Sequence, residues 1–116
     1  MKRIRMPWPV TVNSMYRSVR NTSILSKRAR AYYGLMQKKI DETNHGVCVE
    51  VPVVVTVLLH PPKRFKYDVD NYFKMVLDCL KGRWFNDDSQ IFDLRGVKRQ
   101  KDPAGKGFVN IIMETL

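Results

Sequence analysis

The sequence predicts a single α+β domain in the order β-α-β-α-β-β, with a mixed sheet of about four strands packed against two helices. Three observations point there. Two stretches carry apolar residues at helical spacing, a valine-rich stretch carries them at every second position, and two strand-like runs near the end flank a Pro/Gly loop. At 116 residues the chain has the length of one ordinary domain, so residues 1–116 are expected to form one unit.

Lys2 to Met6 reads as a short first strand stopped by Pro7-Trp8-Pro9, because proline lacks a ladder donor. Pro9 to Ser26, rich in Asn, Ser and Thr, reads as a loop. Ser26 is placed to cap a helix running to about Thr43, whose apolar face is Ala29, Tyr32, Met36 and Ile40, with Gly46 as its stop. From Val47 to Leu59 every odd position is valine or leucine, and Val54 and Leu58 add bulk on the even side. That pattern predicts a strand inside a sheet, with Pro52 signalling an edge or bulge.

A second helix is predicted over about Asp70 to Lys81, closed by Gly82. On a helical wheel Phe73, Val76, Leu77 and Leu80 form its core face, and Asp70, Lys74, Asp78 and Lys81 an adjacent charged face. Ile91 to Arg99 and Phe108 to Glu114 read as two strands joined by QKDPAGKG as a hairpin.

Composition narrows the function. With 21 Lys and Arg against 11 Asp and Glu, the formal net charge is +10, and a field of that sign favours a polyanion, nucleic acid first. A membrane surface would call for a basic amphipathic helix with Trp, Phe and Leu opposite the charges, and the helix after Ser26 carries Tyr and Met there. The longest apolar run, Val51 to Leu59, is far too short to span a bilayer, and MKRIRMPWP has no apolar stretch behind it to make a secretory signal. No membrane partner and a cytoplasmic location are expected. Cys48 and Cys79 are read as reduced core residues. With His45 and His60 they offer no recognisable zinc spacing.

Against this basic background six of the eleven acidic residues cluster, and all six are aspartate: Asp68, Asp70, Asp78, Asp87, Asp88 and Asp93. Short carboxylates suit a hard divalent cation such as Mg²⁺, which takes oxygen ligands and keeps waters and phosphate oxygens in its shell. The bland readings are a helix cap for DVD and a turn for NDDSQ, and Lys74 could pair with Asp70 on the helix surface. One cap explains one aspartate of the DVD pair. Lys63, Arg64 and Lys66 precede it in KRFK, a basic approach suited to backbone phosphates. Metal-assisted phosphodiester cleavage needs this combination, with Lys74 placed to meet negative charge in the transition state. Phe65 and Tyr67 fit base stacking and core packing equally.

The stretches PWPVTVNSMYR, DVDNYFKMVLDCL and NDDSQI together resemble the RusA-type Holliday junction resolvases, small bacterial and phage endonucleases. The resemblance spans most of the chain, matching in pattern more than letters from about residue 18 to 60. It implies that Asp68 and Asp70 are metal ligands, that Lys74 is the catalytic lysine, and that one of Asp87 and Asp88 completes the site. Register from Gln90 favours Asp88. It further implies Mg²⁺ as cofactor, with Mn²⁺ as an alternative, and a homodimer that nicks a four-way DNA junction symmetrically. Asn13, Tyr16 and Arg17 would lie in a loop near the site and touch DNA. Two departures stand out: KGRWF is one residue shorter than the pattern, and Val10 replaces a proline. The reading from a different class is a non-catalytic nucleic-acid-binding module whose aspartates only cap and turn.

Overall fold

The computed structural model describes residues 1–43 and 48–116, and within them the alternating apolar residues build one mixed four-stranded sheet. The strands are β1 (Lys2–Pro7), β4 (Val53–His60), β5 (Ile91–Lys98) and β6 (Phe108–Thr115), in the spatial order β1-β6-β4-β5. β6 pairs antiparallel with both β1 and β4, and β4 pairs parallel with β5. A parallel pair needs a crossover, and helix α2 (Phe73–Leu80) supplies it. Helix α1 (Lys27–Thr43) packs beside α2 and holds β1, with the Tyr32 hydroxyl donating to Pro7 O at 2.7 Å and Lys39 Nζ to Arg5 O at 2.6 Å. The predicted α+β class is therefore the observed one.

The core lies between the helices and one sheet face. Val53, Val55, Val57 and Leu59 of β4 are fully buried there with Met6, Met36, Ile40, Met75, Leu80 and Ile111. Each such side chain contributes roughly 1.5–3 kcal/mol relative to exposure. The even residues of β4 are half-buried on the other face.

Four local expectations change. β4 begins after Pro52. Val49 instead bridges Phe85 and donates from its N–H to Trp84 O at 3.1 Å, so alternation continued into a segment that another loop holds. Gly46 and Val47, read as helix stop and strand start, lie outside the described residues. The expected loop from Pro9 contains a hairpin, β2 (Tyr16–Val19) with β3 (Thr22–Leu25), turned by Arg20 and Asn21 at φ 52° and 63°. That tight turn normally favours glycine, so no glycine advertised it. The last two strands form no hairpin, because β4 lies between them. Their joining loop crosses the end of β4, with Arg99 N–H donating to Leu59 O and Asp102 N–H to Pro61 O, each at 2.8 Å.

The second helix starts later than its periodicity predicts. Residues Val69–Tyr72 form a tight 3₁₀ turn before α2, and its different angular step rotates the core face. Met75, Val76, Cys79 and Leu80 are buried, while Phe73 and Leu77 are half-buried. Ser26 does cap α1: its Oγ accepts from Ala29 N–H at 3.2 Å. Both described cysteines are free, and burial pushes the Cys79 thiol up to about 12, which makes it inert.

Candidate nuclease site and nucleic-acid interface

Most residues singled out in the sequence lie just before, within or just after α2, whereas Asn13, Tyr16 and Arg17 lie on the segment after β1 and Asp93 lies on β5. Lys63, Arg64 and Lys66 lie exposed on the loop that leaves β4. Aromatic packing fixes that loop. Trp8 sits 4.8 Å from Tyr72 and 5.6 Å from Tyr67 between ring centroids, and Phe65 sits 5.1 Å from Tyr67. Such pairs add about 0.5–1.5 kcal/mol each beyond their area. The PWP stretch thus anchors the approach to DVD, which sequence reasoning did not foresee. Tyr67 belongs to the packed cluster. Its hydroxyl is buried without a hydrogen-bond partner among the described residues, and burial raises its pKa. Phe65, at the edge of the cluster, stays 40% exposed.

Asp68 occupies the cap position of the 3₁₀ turn, yet its side chain makes no capping bond, and Asp70 follows in the first turn. The bland capping reading of DVD is therefore not realised. After α2 the geometry separates Asp87 from Asp88. Asp87 caps the turn Asp88–Gln90, accepting from Ser89 N–H at 3.0 Å and from the Ser89 hydroxyl. Those two bonds, the hydroxyl first, hold its pKa below the usual carboxylate value. Asp88 is exposed, and its carboxylate enters no hydrogen bond or ion pair among the described residues.

Gln90 completes this turn. Its Oε1 accepts from Asn86 and Asp87 N–H at 2.8 and 2.9 Å, while its Nε2 donates to Val49 O and Val51 O at 2.9 and 3.1 Å. The loop bearing Asp88 is thereby stapled to the segment before β4. The Asp87-to-Gln90 spacing of a capping box was the available signal.

Lys74 pairs with Asp78, not Asp70: Nζ lies 3.1 Å from Asp78 Oδ2, one helical turn on. Tyr33 of α1 lies beside Asp78, and burial first, then that carboxylate, push its pKa up. The bond to Asp78, with attraction from Tyr16 and Asp88, raises the Lys74 pKa and keeps the ammonium charged. Tyr16 and Asp88 therefore both lie near Lys74. Asn13 sits on the 3₁₀ turn Val12–Ser14, which packs against α2 and the turn Val69–Tyr72. Tyr16 and Arg17 are exposed at the start of β2, on a hairpin and not the expected loop. The sixth aspartate, Asp93, is taken by Arg95 at 2.8 Å on β5.

Gly96 of β5 brings the turn and the sheet together. A Cβ there would meet Val69 Cγ1 at 2.0 Å and Phe73 Cζ at 2.7 Å, so glycine permits the DVD turn to rest on the strand.

Among the described residues no group of three or more His, Cys, Asp or Glu side chains stands close enough to hold a metal ion. A preformed sphere of Asp68, Asp70 and Asp88 is thus not a feature of this structure. Mg²⁺ asks for less, commonly one or two carboxylates with water and phosphate oxygens. Asp68 and Asp70 fit that need as exposed, hard oxygen donors with no internal partner among the described residues. Nor is any described helix long and apolar enough to cross a membrane.

Residues 7–111 match the family model described as Endodeoxyribonuclease RusA. Over 104 residues the chain is 31% identical to Crossover junction endodeoxyribonuclease RusA of Escherichia coli strain K12, covering 89% of this chain and 87% of the relative. The proteins of that name from Shigella sonnei strain Ss046 and Enterobacteria phage 82 match with the same identity and coverage.

Proposed function

The chain belongs to the RusA family of endodeoxyribonucleases, and from that premise we propose that it resolves four-way DNA junctions by paired, Mg²⁺-dependent nicking at the ends of α2. It is an endonuclease of the Holliday junction resolvase family, which sets aside the non-catalytic binding module. One observation carries the assignment of the site. In a chain of net charge +10, the carboxylates of three aspartates flanking α2 make no hydrogen bond or ion pair among the described residues, while the remaining three of the cluster are held by Lys74, Ser89 or Arg95.

Asp68 and Asp70 would hold the metal, with Asp88 as a further ligand or as the residue directing an attacking water. Bound there, the ion supplies Lewis acidity at the scissile phosphate and a water acidic enough to ionise near neutrality. The chain does the rest. Lys63, Arg64 and Lys66 hold backbone phosphates as DNA arrives, and Asn13, Tyr16 and Arg17 approach it from the hairpin side. Lys74 presents a fixed ammonium to the charge that develops on the phosphate. Asp78 positions it. Two copies related by a two-fold axis would match the symmetry of the junction and nick opposed strands. Bacterial and phage relatives fit a cytoplasmic site of action.

The test is Asp70→Asn assayed on a labelled four-way junction with and without Mg²⁺. Nicking should be abolished while junction binding persists or tightens, since a repulsive charge facing phosphate is gone. Undiminished nicking by this variant would remove Asp70 from the metal site.

A further inference from the structure

We infer that a second basic groove, between the KRFK loop and the end of β5, takes the phosphate backbone of the DNA strand next to the cut and stacks one unpaired base on Phe65. The inference rests on the nuclease reading above and adds residues that reading does not contain. The groove, about 290 Å³, is lined by Arg64, Phe65, Tyr67, Lys98, Arg99 and Lys101. Its cations come from two segments far apart in sequence.

Both walls are fixed. Trp8 and Tyr72 pin the first wall through Tyr67. The second is tied to the end of β4 by the N–H bonds of Arg99 and Asp102 to Leu59 O and Pro61 O, and by His60 Nδ1 lying 3.0 Å from Gln100 O. Lys98 Nζ lies 4.4 Å from the centre of the Tyr67 ring, a cation–π contact that holds one charge at the groove wall. None of Arg64, Lys98, Arg99 and Lys101 belongs to an ion pair among the described residues. Converging cations with fixed walls and no internal anion present a site for an external one.

The groove also ends where the chemistry begins, because Tyr67 in its wall is followed directly by Asp68. A strand lying in it would reach the carboxylates without leaving the protein surface. Phe65 beside the cations then has a purpose: an aromatic face next to a phosphate track stacks bases that have left the duplex, with little regard to sequence. Base pairs at a branch point open more readily than those inside an intact duplex.

Binding is read in EDTA, so that no strand is cut, with a labelled four-way junction and a linear duplex over a series of salt concentrations. Replacing Lys98, Arg99 and Lys101 together by Gln should flatten the plot of log affinity against log salt by up to about 2.7 units, near 0.9 for each phosphate no longer neutralised. A control triple on α1, Lys27→Gln with Arg28→Gln and Lys38→Gln, removes the same charge and should change the slope much less. Phe65→Ala should weaken junction binding roughly tenfold and duplex binding little. An unchanged slope in the groove triple, or an equal change in the control, overturns the phosphate track. Loss of affinity shared equally by junction and duplex overturns the stacking shelf. Wild-type protein that neither binds nor nicks the junction instead defeats the nuclease reading beneath both.

Discussion

At the residue scale, the six clustered aspartates divide by what each already does. Asp78, Asp87 and Asp93 neutralise or cap neighbours, whereas the carboxylates of Asp68, Asp70 and Asp88 have no internal partner among the described residues. Residue type cannot make that division. The resemblance to the RusA family singled out Asp68 and Asp70, and within it the register from Gln90 favoured Asp88. The Lys74 partnership with Asp78 was equally open in the sequence, since both Asp70 and Asp78 stand four residues away. We expect Lys74→Ala to lose turnover far more than affinity, because one phosphate contact among many adds little to binding. Asp78→Asn should leave a slower enzyme whose alkaline limb moves to lower pH. The hydrogen bond to Asp78 raises the Lys74 pKa above its ordinary 10.5, so its loss lets the ammonium deprotonate sooner as pH rises. A pH profile of single-turnover nicking reads both. An unmoved alkaline limb would assign Asp78 to packing alone.

At the element scale, the DVD turn depends on the strand beneath it. Gly96→Ala drives a methyl group into Val69 and Phe73, which must shift to admit it. A cost of about 1–3 kcal/mol in stability is expected from such overpacking, measured by urea denaturation. Nicking should fall further than binding, because Asp68 and Asp70 ride on the displaced turn. The loop crossing the end of β4 has its own device. The Asp102 carboxylate is buried and accepts from Ala104, Lys106 and Gly107 N–H at 2.9, 3.2 and 2.9 Å. Those bonds, Ala104 first, lower its pKa below the ordinary 3.8. A lowered folded-state pKa stabilises the fold above the unfolded value, and this contribution fades as pH falls from there through the folded value. Asp102→Asn should therefore reduce Tm at neutral pH and flatten the fall of Tm below about pH 4, a limb that circular dichroism can follow. An acid limb unchanged by the substitution would place the titrating group elsewhere.

At the scale of the whole molecule, the fold turns a diffuse positive charge into a directed one. The helices cover one sheet face, and the parallel crossover through α2 puts the KRFK loop after the C-terminal end of β4 and the Asp88 turn before the N-terminal end of β5, with the DVD turn resting on Gly96 between them. The same arrangement sets the end of β5 beside KRFK and so builds the second groove. The opposite sheet face carries half-buried Leu58 and Ile112 beside Arg3, Arg5 and Asn110. A two-fold dimer is expected from the symmetry of the proposed reaction, and sedimentation equilibrium should return twice the mass of the chain. A protein that stays monomeric while nicking both strands of one junction would separate paired cleavage from dimerisation.

By itself the sequence determined the α+β class, both helices, the four main strands and the acidic cluster behind a basic run, because periodicity and charge order are local properties written along the chain. It could not determine that β4 would separate the last two strands, that Arg20 and Asn21 would turn a hairpin without glycine, or that Trp8 would pin the KRFK loop. Those depend on which distant surfaces meet. The partnering of each aspartate was decided in the same way, since an ion pair or cap forms only where packing brings two groups within a few ångströms. Local pattern chose the elements, and burial of their apolar faces against one another chose the neighbours.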